Sequence, residues 1–157
     1  MKFESKFYNE LKRNTPQIRW TRLENSSVFG TPDLLGYNTN QHFFTIELKV
    51  TSGNKIKFSP HQIAFHVKHP HNTFIIAEAL GPRALNTFPI SMYHGSRIRE
   101  LVTSGLKLDA CYSGWDACRL KLYEGFRIRE LVACGLKLDA CCLGLDACRL
   151  MLQELGA

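Results

Sequence analysis

Gly30-Thr31-Pro32-Asp33 is followed, fourteen residues after the aspartate, by Glu47-Leu48-Lys49 within the apolar run 43–50. In an extended segment side chains alternate between faces. Phe44, Ile46, Leu48 and Val50 would then share one side of a strand, and Thr45, Glu47 and Lys49 the other. Asp33 comes just after a turn-forming stretch, and a hairpin between the two segments would bring its carboxylate close to that of Glu47. Two such carboxylates bind a hard cation through oxygen. Mg²⁺ is completed in near-octahedral geometry by one or two carboxylates, waters and a substrate phosphate. A metal so held lowers the pKa of a bound water and stabilises charge on the phosphate under attack, while Lys49 adds a compact positive charge beside it. The chemistry is metal-dependent phosphodiester hydrolysis. Alone, the same string also fits an ordinary strand with Glu47 and Lys49 in solvent and Asp33 serving its turn.

The elements that would position these groups are legible on both sides. Ser59-Pro60-His61-Gln62 has an N-cap serine, proline in the first turn and a glutamine placed to return a hydrogen bond, a capping box that starts a helix. The order is turn, strand, loop, helix. Phe3, Phe7 and Leu11 recur at helical spacing within residues 1–14, giving an amphipathic helix with Glu4 and Glu10 as its acidic groups. Ile18 to Leu23 reads as a strand carrying Arg22.

Taken together, Gly30-x-Pro32-Asp33-Leu34, Ile46-Glu47-Leu48-Lys49 and Ser59-Pro60-x-Gln62 resemble the PD-(D/E)XK nucleases, most closely the VRR-NUC branch and the Holliday junction resolvases related to it. The resemblance covers roughly residues 1–80. It implies a restriction-endonuclease-like mixed sheet flanked by helices. It further implies that Asp33, Glu47 and the backbone carbonyl of Leu48 ligate Mg²⁺, with Mn²⁺ able to substitute, that Lys49 positions the nucleophile and that Gln62 orients the site. Glu4 corresponds to the family's first-helix glutamate, because Phe7 and Leu11 follow it as apolar residues follow that glutamate. Arg22 has the position of an arginine that contacts the phosphate backbone.

Composition is compatible with a small DNA enzyme. Residues 1–92 hold eleven Lys/Arg against six Asp/Glu, a net of +5, and residues 93–157 hold nine against eight, a net of +1, within the overall +6. The basic excess accompanies the nuclease-like motifs, and positive charge there attracts a polyanion through counterion release. No run approaches the roughly 18 apolar residues of a membrane span, so the expected setting is the cytoplasm of a bacterial or phage-infected cell. All six cysteines fall at 111, 118, 134, 141, 142 and 148; without a secretory signal they read as reduced thiols, and their spacing is not that of a common zinc site. His61, His66, His69 and His71 lie on or just after the helix that Ser59 caps, suited to phosphate contact or to solvent.

The second half is organised by a repeat. Residues 97–120 match residues 127–150 at a period of thirty, differing at five of twenty-four positions. Each copy reads as three short helical pieces separated by glycines. Ala140, Gly144, Leu145 and Leu150, echoed by Ala110, Gly114, Trp115 and Leu120, resemble a helix-turn-helix pattern, with Asp116 and Asp146 as caps and Arg119, Lys121 and Arg149 as groove-facing residues. Against DNA reading stand the near-zero charge of this half and the apolar character of Asp146-Ala-Cys-Arg-Leu-Met-Leu.

The expected architecture is thus an α/β nuclease domain at 1–92 followed by an all-α tandem module at 93–157. The expected function is divalent-metal-dependent DNA endonuclease activity, site-directed by the repeats as in a phage or mobile-element enzyme. Repeats that instead build a homodimer would favour a branched-DNA resolvase, since two cuts need two sites. A third reading is a DNA-binding or assembly protein without activity, against which the intact Asp33, Glu47 and Lys49 set argues.

Overall fold

A computed structural model describes residues 2–23, 29–80 and 89–124. Helix α1 (Lys2–Asn14) leads into strands β1 (Arg19–Arg22), β2 (Leu34–Tyr37) and β3 (Phe43–Thr51). Helix α2 (Pro60–Lys68) joins β3 to β4 (Thr73–Ala79), and β5 (Ile90–His94), α3 (Ile98–Ser104), β6 (Tyr112–Ser113) and α4 (Gly114–Glu124) complete the described chain. The six strands form one mixed sheet in the order β1-β2-β3-β4-β5-β6. Every neighbouring pair is antiparallel except β3 and β4. That parallel pair requires a crossover, which α2 provides.

The alternation expected of β3 sorts its side chains as read from the sequence. Phe44, Ile46 and Leu48 join Phe7 and Leu11 of α1 in one core, together with Phe74, Ile76 and Met92 of the sheet and Cys118 and Leu122 of α4. Ile75, Ala77 and Tyr93 point the opposite way and pack with Ile56, Ile98 and Leu101, in a second core beneath α2 and α3. The central strand β4 is thus apolar on both faces, as a strand covered by helices on each side must be. Phe7 and Leu11 are fully buried, whereas Phe3, at the same helical spacing, stays largely exposed. Helix α1 ends where Thr15 Oγ1 donates to the Leu11 carbonyl at 2.7 Å, ahead of Pro16.

The first repeat differs from its expected form. Where a middle helix was expected, a short 3₁₀ turn (Gly105–Lys107) and then β6 follow, with β6 pairing to β5 through Ser91↔Ser113 and Met92↔Tyr112. The sheet edge supplies hydrogen-bond partners that outweigh local helical preference in so short a segment. The expected boundary at residue 92 falls inside β5, and α4 lies on the same core as α1, with Trp115 against Phe7 (ring centroids 6.0 Å) and its indole N–H donating to Glu10 at 3.0 Å. Far from a separate helical module, residues 95–124 cover the sheet on both faces. The second copy, including Ala140, Gly144, Asp146 and Arg149, lies outside the described residues. No helix among the described residues is long and apolar enough to cross a membrane.

Candidate active site

Strands β2 and β3 pair from Tyr37↔Phe43 to Leu34↔Ile46 and then part. At the split, the Asp33 carboxylate takes the place of a backbone partner: its Oδ2 accepts the Leu48 N–H at 2.7 Å. The Asp33 carbonyl in turn accepts the Leu23 N–H at 2.9 Å, so the residue is tied to both neighbouring strands. The N–H and C=O of one strand residue point toward the same neighbour. The carbonyl of Leu48 accordingly faces the gap that Asp33 occupies.

Glu47 emerges on the α2 side of β3 and is 1% exposed. Its Oε1 accepts from Lys49 Nζ at 3.1 Å and from Gln62 Nε2. Lys49 Nζ also donates to Gln62 Oε1 at 3.1 Å and lies 5.1 Å over the Phe58 ring. Gln62 owes its position to the capping box: Ser59 Oγ accepts the Gln62 N–H at 3.2 Å, and Gln62 Oε1 accepts the Ser59 N–H at 2.9 Å. One side chain both starts helix α2 and fixes the Glu47–Lys49 pair. The second oxygen of Glu47, Oε2, is buried with no hydrogen-bond partner.

Burial sets the electrostatics of the two carboxylates. Burial, then the charge of Asp33, raise the Glu47 pKa to about 7 against the pull of Lys49. Asp33 is open to solvent on one side, yet desolvation of its carboxylate by the surrounding protein raises its pKa too, with the Leu48 N–H and Lys49 opposing and Glu4 adding to the rise. A buried carboxylate oxygen without a donor, beside a second carboxylate, is the arrangement a hard cation relieves.

Glu4, Tyr8, Arg22, Asp33 and Leu48 line one small cleft of about 60 Å³. This separates the two acidic groups of α1, since Glu4 reaches the cleft and Glu10 is held by Trp115. Arg22 is exposed on β1, its guanidinium 5.4 Å from the Tyr8 ring. Glu4, Asp33, Glu47, Lys49, Gln62 and Arg22 are thus brought to one end of the sheet. Among the described residues no set of three or more His, Cys, Asp or Glu side chains could hold a metal.

Of the other expected DNA contacts, Arg149 lies outside the described residues, and Arg119 and Lys121 are not brought there. Lys121 is 2% exposed, and its neighbour Leu120, an apolar position of the helix-turn-helix pattern, is 61% exposed. Helix α4 turns Cys118, Lys121 and Leu122 to the sheet, which rotates the surface by one residue from the helix-turn-helix reading. Arg119 ion-pairs with Asp116, the residue expected to act as an N-cap. His66 is not available to phosphate either: it is fully buried, its Nδ1 2.9 Å from the Gln62 carbonyl, with desolvation lowering its pKa.

The loop geometry could not be read from residue types. Gly30 has φ of +84°, and a Cβ placed on it would lie 2.4 Å from the carbonyl oxygen of His61. The loop carrying Asp33 is pressed against the first turn of α2, next to Gln62. Gly30→Ala is expected to cost about 1–3 kcal/mol through backbone strain and collision. Thermal melting checks this, and an unchanged melting temperature would contradict the close approach.

Compared with models of known protein families and with curated proteins, the chain shows no match to either.

Proposed function

We propose that the chain is a divalent-metal-dependent endodeoxyribonuclease that hydrolyses phosphodiester bonds at the end of the sheet where β2 and β3 part. The observation that carries this reading is the convergence of Asp33, Glu47 and Lys49 there, with Glu47 Oε2 buried and unpartnered. Every donor at the site is oxygen, which suits Mg²⁺ or Mn²⁺ over softer metals. Asp33, Glu47 and the Leu48 carbonyl would hold the ion. Bound there, Mg²⁺ supplies Lewis acidity toward the phosphate and acidifies a coordinated water.

The protein's own residues do the rest. Lys49 is held by Glu47 and Gln62 at 3.1 Å from each, so its ammonium presents a fixed positive charge where negative charge grows on the attacked phosphate. Gln62 keeps Lys49 and Glu47 in register through the capping box. Arg22, exposed beside the cleft, would bind a flanking phosphate of the same strand. Glu4 adds negative charge to the carboxylate pair, strengthening its demand for a cation.

Direction of cleavage by the first repeat loses its support. Its cationic candidates are paired or buried, and the unit completes the fold.

The test is single-turnover cleavage of linear duplex, single-stranded, flapped and four-way-junction DNA with Mg²⁺ or Mn²⁺. Cutting of at least one substrate by the wild type is expected, with Lys49→Ala slower by about a hundredfold to a thousandfold and Gln62→Ala less affected. A Lys49→Ala protein with full activity, or a wild type that cuts nothing in either metal, would overturn the proposal.

A further inference from the structure

Phe29 is 76% exposed, an unusual condition for a phenylalanine beside a folded sheet. One of its faces is not bare: the ring stacks on His61, centroids 5.2 Å apart and planes 26° from parallel. His61 is itself exposed on the first turn of α2. Its helical neighbour four residues on, Phe65, tilts against His69 with centroids 4.8 Å apart. His61 and Phe65 are spaced about 6 Å along the helix axis. Two aromatic pairs, Phe29–His61 and Phe65–His69, thus follow one another in a row along α2, with Phe29 at its outer end.

The row is anchored to the candidate active site at two points. Phe29 precedes Asp33 by four residues, a chain reach of at most about 14 Å, and His61 is the residue before Gln62. The tight approach of Gly30 to the His61 carbonyl locks the two anchors together. A ring so placed stands within one or two nucleotides of any phosphate held at Asp33 and Glu47.

We propose that the Phe29–His61 pair is a stacking platform for an unpaired base next to the scissile phosphate, so that the substrate of this site is DNA that is single-stranded at the cut. The inference rests on the nuclease reading for what it means in catalysis, but not for the binding itself. Inside a duplex each base has both faces covered by its neighbours. Only a base out of the stack can lie on an open aromatic ring, and stacking of that kind is indifferent to sequence because every base has a π-face. Arg22 at the neighbouring cleft and Lys49 at the site add positive charge that suits the backbone of such a strand. His61 on the inner face stiffens the platform.

The experiment measures binding of a short fluorescent oligonucleotide and of the same sequence as a duplex, by anisotropy in EDTA, so that no cleavage occurs. The wild type is expected to prefer the single strand. Phe29→Ala is expected to weaken single-strand binding by about tenfold or more while leaving duplex binding unchanged, and Phe29→Trp to restore it. Because Phe29 is exposed, its removal leaves both cores intact, and thermal melting of each variant verifies this. Equal binding of both DNA forms by the wild type, an equal loss of both in Phe29→Ala, no loss at all, or failure of Phe29→Trp to restore binding would each overturn the platform. Parallel cleavage in Mg²⁺ keeps the two readings apart. Selective loss by Phe29→Ala with a wild type that never cuts would reject the nuclease and keep the platform, whereas active enzyme with unselective loss would reject the platform alone.

Discussion

Glu47→Gln is expected to melt above the wild type in EDTA at about pH 8 and to lose cleavage in Mg²⁺ by about a thousandfold or more. The two effects share one cause. Glu47 is buried beside Asp33, and its pKa is pushed up to about 7, above the ordinary value near 4.5. Below the ordinary value both folded and unfolded chains hold the proton, and the group costs nothing. As pH rises through that value the unfolded chain releases its proton while the folded chain keeps it, so stability falls until the folded group ionises near pH 7. Above that the penalty is constant, at most about 3 kcal/mol. Glutamine removes the penalty and still offers Lys49 and Gln62 an oxygen, but it has no charge to hold a cation. The difference in melting temperature between Glu47→Gln and wild type should therefore grow from about pH 4.5 to about pH 7 and then level off. A difference that is flat across this range would mean that Glu47 is not a strained carboxylate. Excess Mg²⁺ should narrow the gap at neutral pH by stabilising only the wild type.

The second large effect concerns the first repeat. A chain ending at residue 94 is expected not to fold, whereas one ending at residue 124 keeps every described element and is expected to melt cooperatively. The shorter chain loses Cys118 and Leu122 from the core shared with Phe7 and Leu11, and Ile98 and Leu101 from the core beneath Tyr93. It also loses the Leu108 carbonyl that accepts the Tyr93 hydroxyl at 3.2 Å and the β6 partner of β5. Removing one buried leucine costs about 2–5 kcal/mol, against a total stability of about 5–15 kcal/mol. Loss of several on both faces exceeds that margin. Circular dichroism and thermal melting of the two truncations decide it. A cooperatively folded chain ending at residue 94 would show that the repeat is an appendage after all.

The parts of this fold that were legible in the sequence are those decided within a few residues. The alternation of Phe44, Ile46 and Leu48 against Glu47 and Lys49 follows from backbone geometry, and the Ser59–Gln62 capping box is a local hydrogen-bond exchange. Phe7 and Leu11 announced the buried face of α1 in the same way. The rest depended on partners distant in the chain. Tyr112 and Ser113 form a strand only because β5 lies beside them. The phase of α4 is set by what it covers, so Lys121 turned inward and Leu120 outward in a segment whose weak amphipathicity left the choice to packing. Helical periodicity alone offered both Glu4 and Glu10, and the choice of Glu4 came from the resemblance; the partner of Glu10, Trp115, lies 105 positions later and could not be read locally. The cap role of Gln62 was legible in its own segment and its place at the site only through the resemblance, because a capping box alone says nothing of which strand end the helix start will face.

The central claim is that Asp33 and Glu47 together hold the metal that hydrolysis needs. The most direct measurement is single-turnover cleavage of a labelled DNA by the wild type and by Asp33→Ala across a Mg²⁺ titration, with EDTA as the zero point. Asp33 would contribute a charged ligand, and it holds the Leu48 N–H at 2.7 Å, so its loss should both weaken ion binding and loosen the strand that carries Glu47. The account predicts no cutting in EDTA, saturable cutting by the wild type as Mg²⁺ rises, and no recovery by Asp33→Ala at any Mg²⁺ concentration. Cutting by the wild type that persists in EDTA, or a full rate in Asp33→Ala, would contradict it.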